Sequence, residues 1–274
     1  MEIYYSVFFV ITLAAGGGML VKWLSETRFG TKSLESAGHR RNNMPYYFPF
    51  AVLFGWLLLT AIGSGAAESL TSKMTDWRQK FATFGVFFAI EVVVIFFIVN
   101  SAKIYFEDGL RGFGIKFKDI FRDLALAAAI FVSVWPLVII TLWAVVFIGT
   151  LIVGPEFEFE KNEGLVVLLE HKQLILRVLM VLFAAGLTPI FEELVFRGLL
   201  QTYMREGLGY GPWQSIFFAS AIFAVLHPLM HLPAIFILSV AMGYAYEKSG
   251  SLLRPIFIHL LFNGTTIAFA LLTT

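Results

Sequence analysis

The sequence predicts an all-α, polytopic transmembrane helical bundle with about eight membrane helices, and three observations carry that prediction. Of its 274 residues, 58% are hydrophobic, and the mean hydropathy is +0.80. Only 14% are charged, against about 25% in an ordinary soluble domain. Most directly, apolar runs near the ~20 residues that a spanning helix needs recur at 4–21, 46–62, 81–104, 124–153, 174–200, 213–226, 232–246 and 252–272.

Each run has its own reading. The first contains small residues (Ala14, Ala15, Gly16) that resemble a signal-peptide cleavage region. Its only early charge is Glu2 rather than a basic cluster, so a retained helix is expected. The 124–153 run exceeds one span, and Trp135-Pro136 inside it predicts a kinked or tilted helix. The runs 213–226 and 232–246 are short for full crossings. They read as two thin spans, a re-entrant pair, or helices thickened by neighbours. No internal repeat or low-complexity tract is present.

Orientation follows the basic residues. The 22–45 loop holds Lys22, Arg28, Lys32, Arg40 and Arg41, and the 105–123 loop holds Arg111, Lys116, Lys118 and Arg122. The 154–173 loop is acidic, with Glu156, Glu158, Glu160, Glu163 and Glu170. Basic loops inside give a multi-pass protein, of the cell membrane, with its N-terminus outside. In the 105–123 loop, Leu110, Phe113, Ile115, Phe117, Ile120 and Phe121 interleave with the cations. That pattern fits an amphipathic stretch on the cytoplasmic surface or a plain connector.

Composition also excludes. The formal net charge is +1, which offers nucleic acid no electrostatic footprint. There is no cysteine, hence no thiol nucleophile, disulfide, thiolate metal site or cysteine-linked lipid.

Ionisable side chains inside apolar helices cost about 2.5–3.5 kcal/mol each and therefore face a partner or a cavity. In Thr188-Pro189-Ile190-Phe191-Glu192-Glu193-Leu194-Val195-Phe196-Arg197 there are three. Glu193 and Arg197 are four apart and can pair on one face. Glu192 is turned about 100° away by the 3.6-residue period, free to face something else. Phe223-Ala224-Val225-Leu226-His227 sets an aromatic ring and an imidazole on one face, and His259-Leu260-Leu261-Phe262-Asn263 does the same for an imidazole and an amide. Glu91, in the 81–104 run, reads as a separate structural acid. The same groups could also form a purely structural network of interhelical hydrogen bonds.

With no thiol and no Gly-x-Ser-x-Gly elbow, activated water is the expected nucleophile. A carboxylate among apolar side chains can serve as general base. Imidazole and amide N–H groups can hold an oxyanion, one such donor being worth about 2.7–4 kcal/mol. Alternatively, a divalent metal such as zinc, held by Glu192, His227 and His259, would activate the water. The His-Glu-x-x-His zinc helix is absent.

At these residues the chain resembles the CPBP family of intramembrane proteases, the CAAX-protease and bacteriocin-processing group. That family's pattern is Glu-Glu-x-x-x-Arg, then Phe-x-x-x-His, then His-x-x-x-Asn or Asp. The resemblance covers roughly residues 177–274 and extends to Arg197-Gly198 and to Gly250-Ser251-Leu252-Leu253-Arg254-Pro255. It implies an endopeptidase of the Ras-converting CAAX prenyl protease type, acting on a membrane-associated peptide. By motif, Glu192 would be the base, His227 its water-orienting partner, and His259 with Asn263 the oxyanion donors. Glu193, Arg197 and Phe223 would support the site or hold substrate. The family has also been described as metal-dependent. Residues 1–170 then read as N-terminal transmembrane helices with the amphipathic cytoplasmic loop, and 171–274 as the CPBP-like catalytic core.

Two other readings compete: a non-catalytic immunity or scaffold membrane protein of the same fold, and a transporter using the acids and histidines as a proton relay. One tension remains within the favoured reading. Strict alternation of eight spans places Glu192 and His259 toward the cytoplasmic side but His227 toward the opposite one.

Overall fold

A computed structural model describes residues 2–160 and 162–273. The fold is all-helical. Its helices are α1 (Glu2–Thr27), α2 (Thr31–Leu34), α3 (Phe48–Thr71), α4 (Asp76–Tyr105), α5 (Leu110–Phe113), α6 (Ile120–Val153), α7 (Glu163–Glu170), α8 (Leu174–Gly207), α9 (Pro212–Val225), α10 (Leu232–Ser249) and α11 (Leu253–Thr273).

Among the described residues, five helices are long and apolar enough to cross a bilayer: α3, α4, α6 with its leading turn, α8 and α11. The sequence reading expects about eight, and the difference lies in α1, α9 and α10. α9 has 14 residues, about 21 Å at 1.5 Å per residue, against a hydrocarbon core of about 30 Å. α10 has 18 residues, but its last turn carries Glu247 and Lys248. Outward-facing Phe54, Leu58, Phe96, Phe147 and Leu151 are exposed, as a lipid-facing band requires and a soluble surface would not tolerate.

Short range and long range cooperate where prolines free a carbonyl. Pro136 lies within α6 and donates no hydrogen bond to the Val132 carbonyl four residues back. α1 crosses at that point: a Cβ on Gly16 would come within 2.1 Å of the Val132 oxygen. Only glycine permits that approach. α8 runs through its whole length without interruption but widens to π-helical spacing at Phe183–Leu187, Leu194–Gln201 and Tyr203–Gly207. Such widening concentrates at functional sites.

The main core gathers residues of α3, α4, α6, α8, α9, α10 and α11, with Phe113 of α5 among them. Phe113 is fully buried, whereas Phe117 and Phe121 are exposed. The 105–123 segment is therefore not an amphipathic helix lying flat on a surface. It is two short turns, one driven into the protein. Phe113 rests on Gly198, whose Cβ, if present, would sit 2.3 Å from the phenyl ring. Gly114, at φ 106°, accepts the Leu252 N–H on its carbonyl at 2.8 Å. A smaller core beneath α7 joins Phe84, Val167, Leu168, Leu176 and Met180.

Buried charge fixes one end of the bundle. Glu247 accepts from Arg40 Nη1 at 3.1 Å, Arg205 Nε at 3.1 Å and Gln201 Nε2 at 3.2 Å. The Arg40 guanidinium also lies 3.8 Å over the Tyr246 ring. Nearby, Asp123 at the start of α6 accepts from Ser251 and from Arg254 Nη2 at 2.8 Å. The 36–45 loop and the ends of α4, α8 and α10 thus meet at one face, as do the starts of α6 and α11.

Candidate active site

The motif residues lie on α8, α9 and α11. On α8, the π-helical stretch before Thr188 pairs the Thr188 N–H with the Phe183 carbonyl, five residues back. At that spacing the next carbonyl, Ala184, would look to residue 189, which is proline and has no N–H. Asn263 Nδ2 donates to this Ala184 oxygen at 2.7 Å instead. The sequence thus ties α11 to α8 at the turn where the acids begin, and the second N–H of Asn263 has no partner among the described residues.

Glu193 is fully buried. Its Oε1 accepts from Arg197 Nη1 at 2.7 Å and from His259 Nδ1 at 2.9 Å. Arg197 continues through Nη2 to the Ser239 hydroxyl at 2.6 Å and carbonyl at 3.1 Å on α10. Its guanidinium stands 4.8 Å from the Phe223 ring centroid. The i,i+4 pair expected from the sequence is formed. Glu193 Oε2 is buried without a hydrogen-bond partner among the described residues.

Glu192 does face elsewhere, yet it reaches the same imidazole. Its Oε2 lies 3.5 Å from His259 Nε2, and its side chain keeps 15% exposure. His259 therefore sits between two carboxylates, one on each ring nitrogen. A neutral imidazole has one N–H, so only the imidazolium can donate from both nitrogens. The 3.5 Å separation is long for a hydrogen bond and leaves room for the Glu192 oxygen to engage another group.

His227 follows the last turn of α9. Its Nδ1–H donates to the Phe223 carbonyl at 2.8 Å, which leaves Nε2 as a lone-pair acceptor when the ring is neutral. The Phe223 ring lies between the two histidines, 4.6 Å from His227 and 5.9 Å, edge to face, from His259. No hydrogen bond joins His227 or Asn263 to Glu192 among the described residues. The structure thus brings Glu192, Glu193, Arg197, Phe223 and His259 into direct contact, and adds His227 through Phe223 and Asn263 through the α8 backbone.

The short α9 removes the difficulty that strict alternation raised for His227. α8 ends at Gly207 and α9 starts at Pro212, joined at one face where Arg205 Nη1 donates to the Tyr210 carbonyl. Glu192 lies 15 residues before Gly207 and His227 15 residues after Pro212, so the two stand at similar distances from the face where α8 and α9 join, and the Phe223 ring touches both His227 and His259.

Sequence reasoning missed two participants. Glu91 on α4 is not isolated: it is buried, accepts from Thr188 Oγ1 at 2.9 Å and lies within electrostatic reach of Glu192. An acid in the middle of an apolar helix was the available signal. Ser239, which anchors Arg197, gave no signal at all.

The metal alternative does not fit. Among the described residues no group of three or more His, Asp or Glu side chains is placed to hold an ion.

Residues 174–265 match the family described as "Type II CAAX prenyl endopeptidase Rce1-like". An Escherichia coli protein named "Uncharacterized 24.3 kDa protein" is 26% identical over 128 residues, which are 45% of this chain and 58% of that protein. The chain thus spans little more than half the length of this relative. No solved structure matches the chain. Over residues 174–265, where the paired acids, the phenylalanine-flanked histidines and the asparagine tie all fall, the chain carries a domain of the Rce1-like type II CAAX prenyl endopeptidase family.

Proposed function

We propose that the protein is an intramembrane endopeptidase that hydrolyses a peptide bond of a membrane-associated substrate with water activated by Glu192 and His227. The observation that carries this reading is the position of His259. It is clamped by Glu193 and edge-on to Phe223, and so presents its second nitrogen toward the more accessible Glu192. Glu192 removes a proton from water while His227 Nε2 accepts the other water hydrogen as a bond. The water oxygen then adds to the scissile carbonyl carbon. The oxyanion is held by His259 Nε2–H and the second N–H of Asn263, the kind of donors that act best in a water-poor cavity. Glu192 returns its proton to the departing amine as the carbon–nitrogen bond breaks. Glu193 and Arg197 hold the imidazole in place and move no proton.

Residues 171–274 act as the catalytic core, and 1–170 as the helices that enclose it. The chain crosses the membrane eight times, with α1, α9 and α10 joining the five long helices and the N-terminus outside. The meeting of the basic 36–45 and 105–116 segments at one face supports this topology, since Asn42 and Phe106 pair there.

Glu192→Gln provides the test. Membranes carrying the wild-type protein should yield cleavage products by mass spectrometry that Glu192→Gln membranes lack at equal protein abundance. Identical product sets would overturn the reading and favour a scaffold.

A further inference from the structure

α4 leaves the apolar region at Tyr105 and the chain re-enters it at Phe117. The segment between them, the 36–41 loop and the end of α10 enclose a cavity of about 1120 Å3. None of the proposed catalytic residues lines it. Its cations are Arg40, Arg41, Arg111, Lys116, Lys118 and Lys248. Its acids are Glu107 and Asp108.

Some of these charges are already matched. Arg40 pairs with Glu247 at 3.1 Å and Arg41 with Glu107 at 3.8 Å. Lys248 Nζ donates to the Ser33 carbonyl at 2.6 Å, a neutral partner that leaves its charge uncompensated. Arg111, Lys116 and Lys118 make no side-chain hydrogen bond or ion pair among the described residues. Four cations therefore face one unmatched acid, Asp108. Such a concentration calls for an anion.

The surroundings say which anion. Phe117 lines the cavity and is 67% exposed. Phe121, four residues on at the start of α6, is 84% exposed. Ile104, at the end of α4, is also exposed. Cations beside outward-facing apolar side chains, at the point where two long apolar helices end, match a molecule with a phosphate at one end and hydrocarbon at the other. A water-borne anion would gain nothing from the phenyl rings.

We propose that this cavity binds the headgroup of an anionic phospholipid, with the acyl chains lying along Phe117 and Phe121. The site adjoins the Rce1-like domain. Phe113, between Arg111 and Lys116, packs on Gly198 of α8, and Gly114 holds the start of α11 through Leu252. A seated headgroup fastens the segment that braces α8 and α11.

The full chain in mild detergent is titrated with phosphatidylglycerol or with phosphatidylcholine of identical acyl chains, and retained lipid is counted by native mass spectrometry. Phosphatidylglycerol should be retained at concentrations where phosphatidylcholine is lost. Arg111→Gln, Lys116→Gln and Lys118→Gln together should weaken that retention on the order of 100-fold. If the triple variant melts early, Lys118→Gln alone, at an exposed position, should weaken it about fivefold. Equal retention of the two lipids, or variants that bind as the wild type does, overturns the assignment. Displacement by millimolar inorganic phosphate overturns it in favour of a free-phosphate site. Displacement by an acidic peptide below the lipid's own concentration overturns it in favour of peptide docking.

Discussion

Glu193 joins folding to catalysis, and replacing it should separate the two. One of its oxygens holds both Arg197 at 2.7 Å and His259 at 2.9 Å, and both charged partners of the pair are excluded from solvent. Glu193→Leu strands the Arg197 guanidinium with only the neutral Ser239 as partner. Removing one side of a buried pair costs about 3–5 kcal/mol, whereas replacing both sides with apolar groups of similar volume is often neutral. The double variant Glu193→Leu with Arg197→Met should therefore recover most of the stability that the single variant loses. It should not recover cleavage, because His259 Nδ1 has lost its acceptor. Reversible unfolding in sodium dodecyl sulfate measures stability, and product formation in membranes measures cleavage. A single variant that loses less than about 1 kcal/mol would refute the buried-pair energetics. A double variant that cleaves at the wild-type rate would refute the positioning role.

Two further outcomes follow from single contacts. Asn263→Ala removes the partner of a carbonyl that Pro189 leaves without a backbone donor, a loss of about 1–3 kcal/mol. Its cleavage rate should fall by roughly 10²–10³ if Asn263 also donates to the oxyanion, as single-turnover assays at matched protein abundance would show. Gly198→Ala drives a methyl to 2.3 Å from the Phe113 ring and should cost about 1–3 kcal/mol. Phe113→Leu in the same chain should restore much of that loss in a thermal melt, and no restoration would mean that the clash lies elsewhere.

What the sequence made legible was whatever one helix could display alone. Glu193 and Arg197 pair because they stand four apart, and His259 and Asn263 share a face for the same reason. The partners across helices were not legible. Thr188 reaching Glu91, Ser239 taking Arg197, and both glutamates converging on one imidazole depend on how helices pack, and no periodicity encodes that. The span count differed in part because the short runs 213–226 and 232–246 entered it as spans, although neither reaches the length of the five long helices. α9 is as apolar as a spanning helix but stops at Val225. Phe113 shows the same limit, since its interleaving with cations looked like a surface stripe. Only the bare backbone of Gly198 reveals why that ring is buried.

The π-helical stretches of α8 carry a further implication. Wider turns hold an additional residue within a fixed height, so the helix can gain or lose one amino acid there while its two ends stay anchored. Shortening Phe183–Leu187 by one position would restore ordinary winding there and leave Glu192 and Glu193 at the azimuth they now hold. Chains that vary in length at this point should thus keep both their topology and the pair of acids presented to the imidazole.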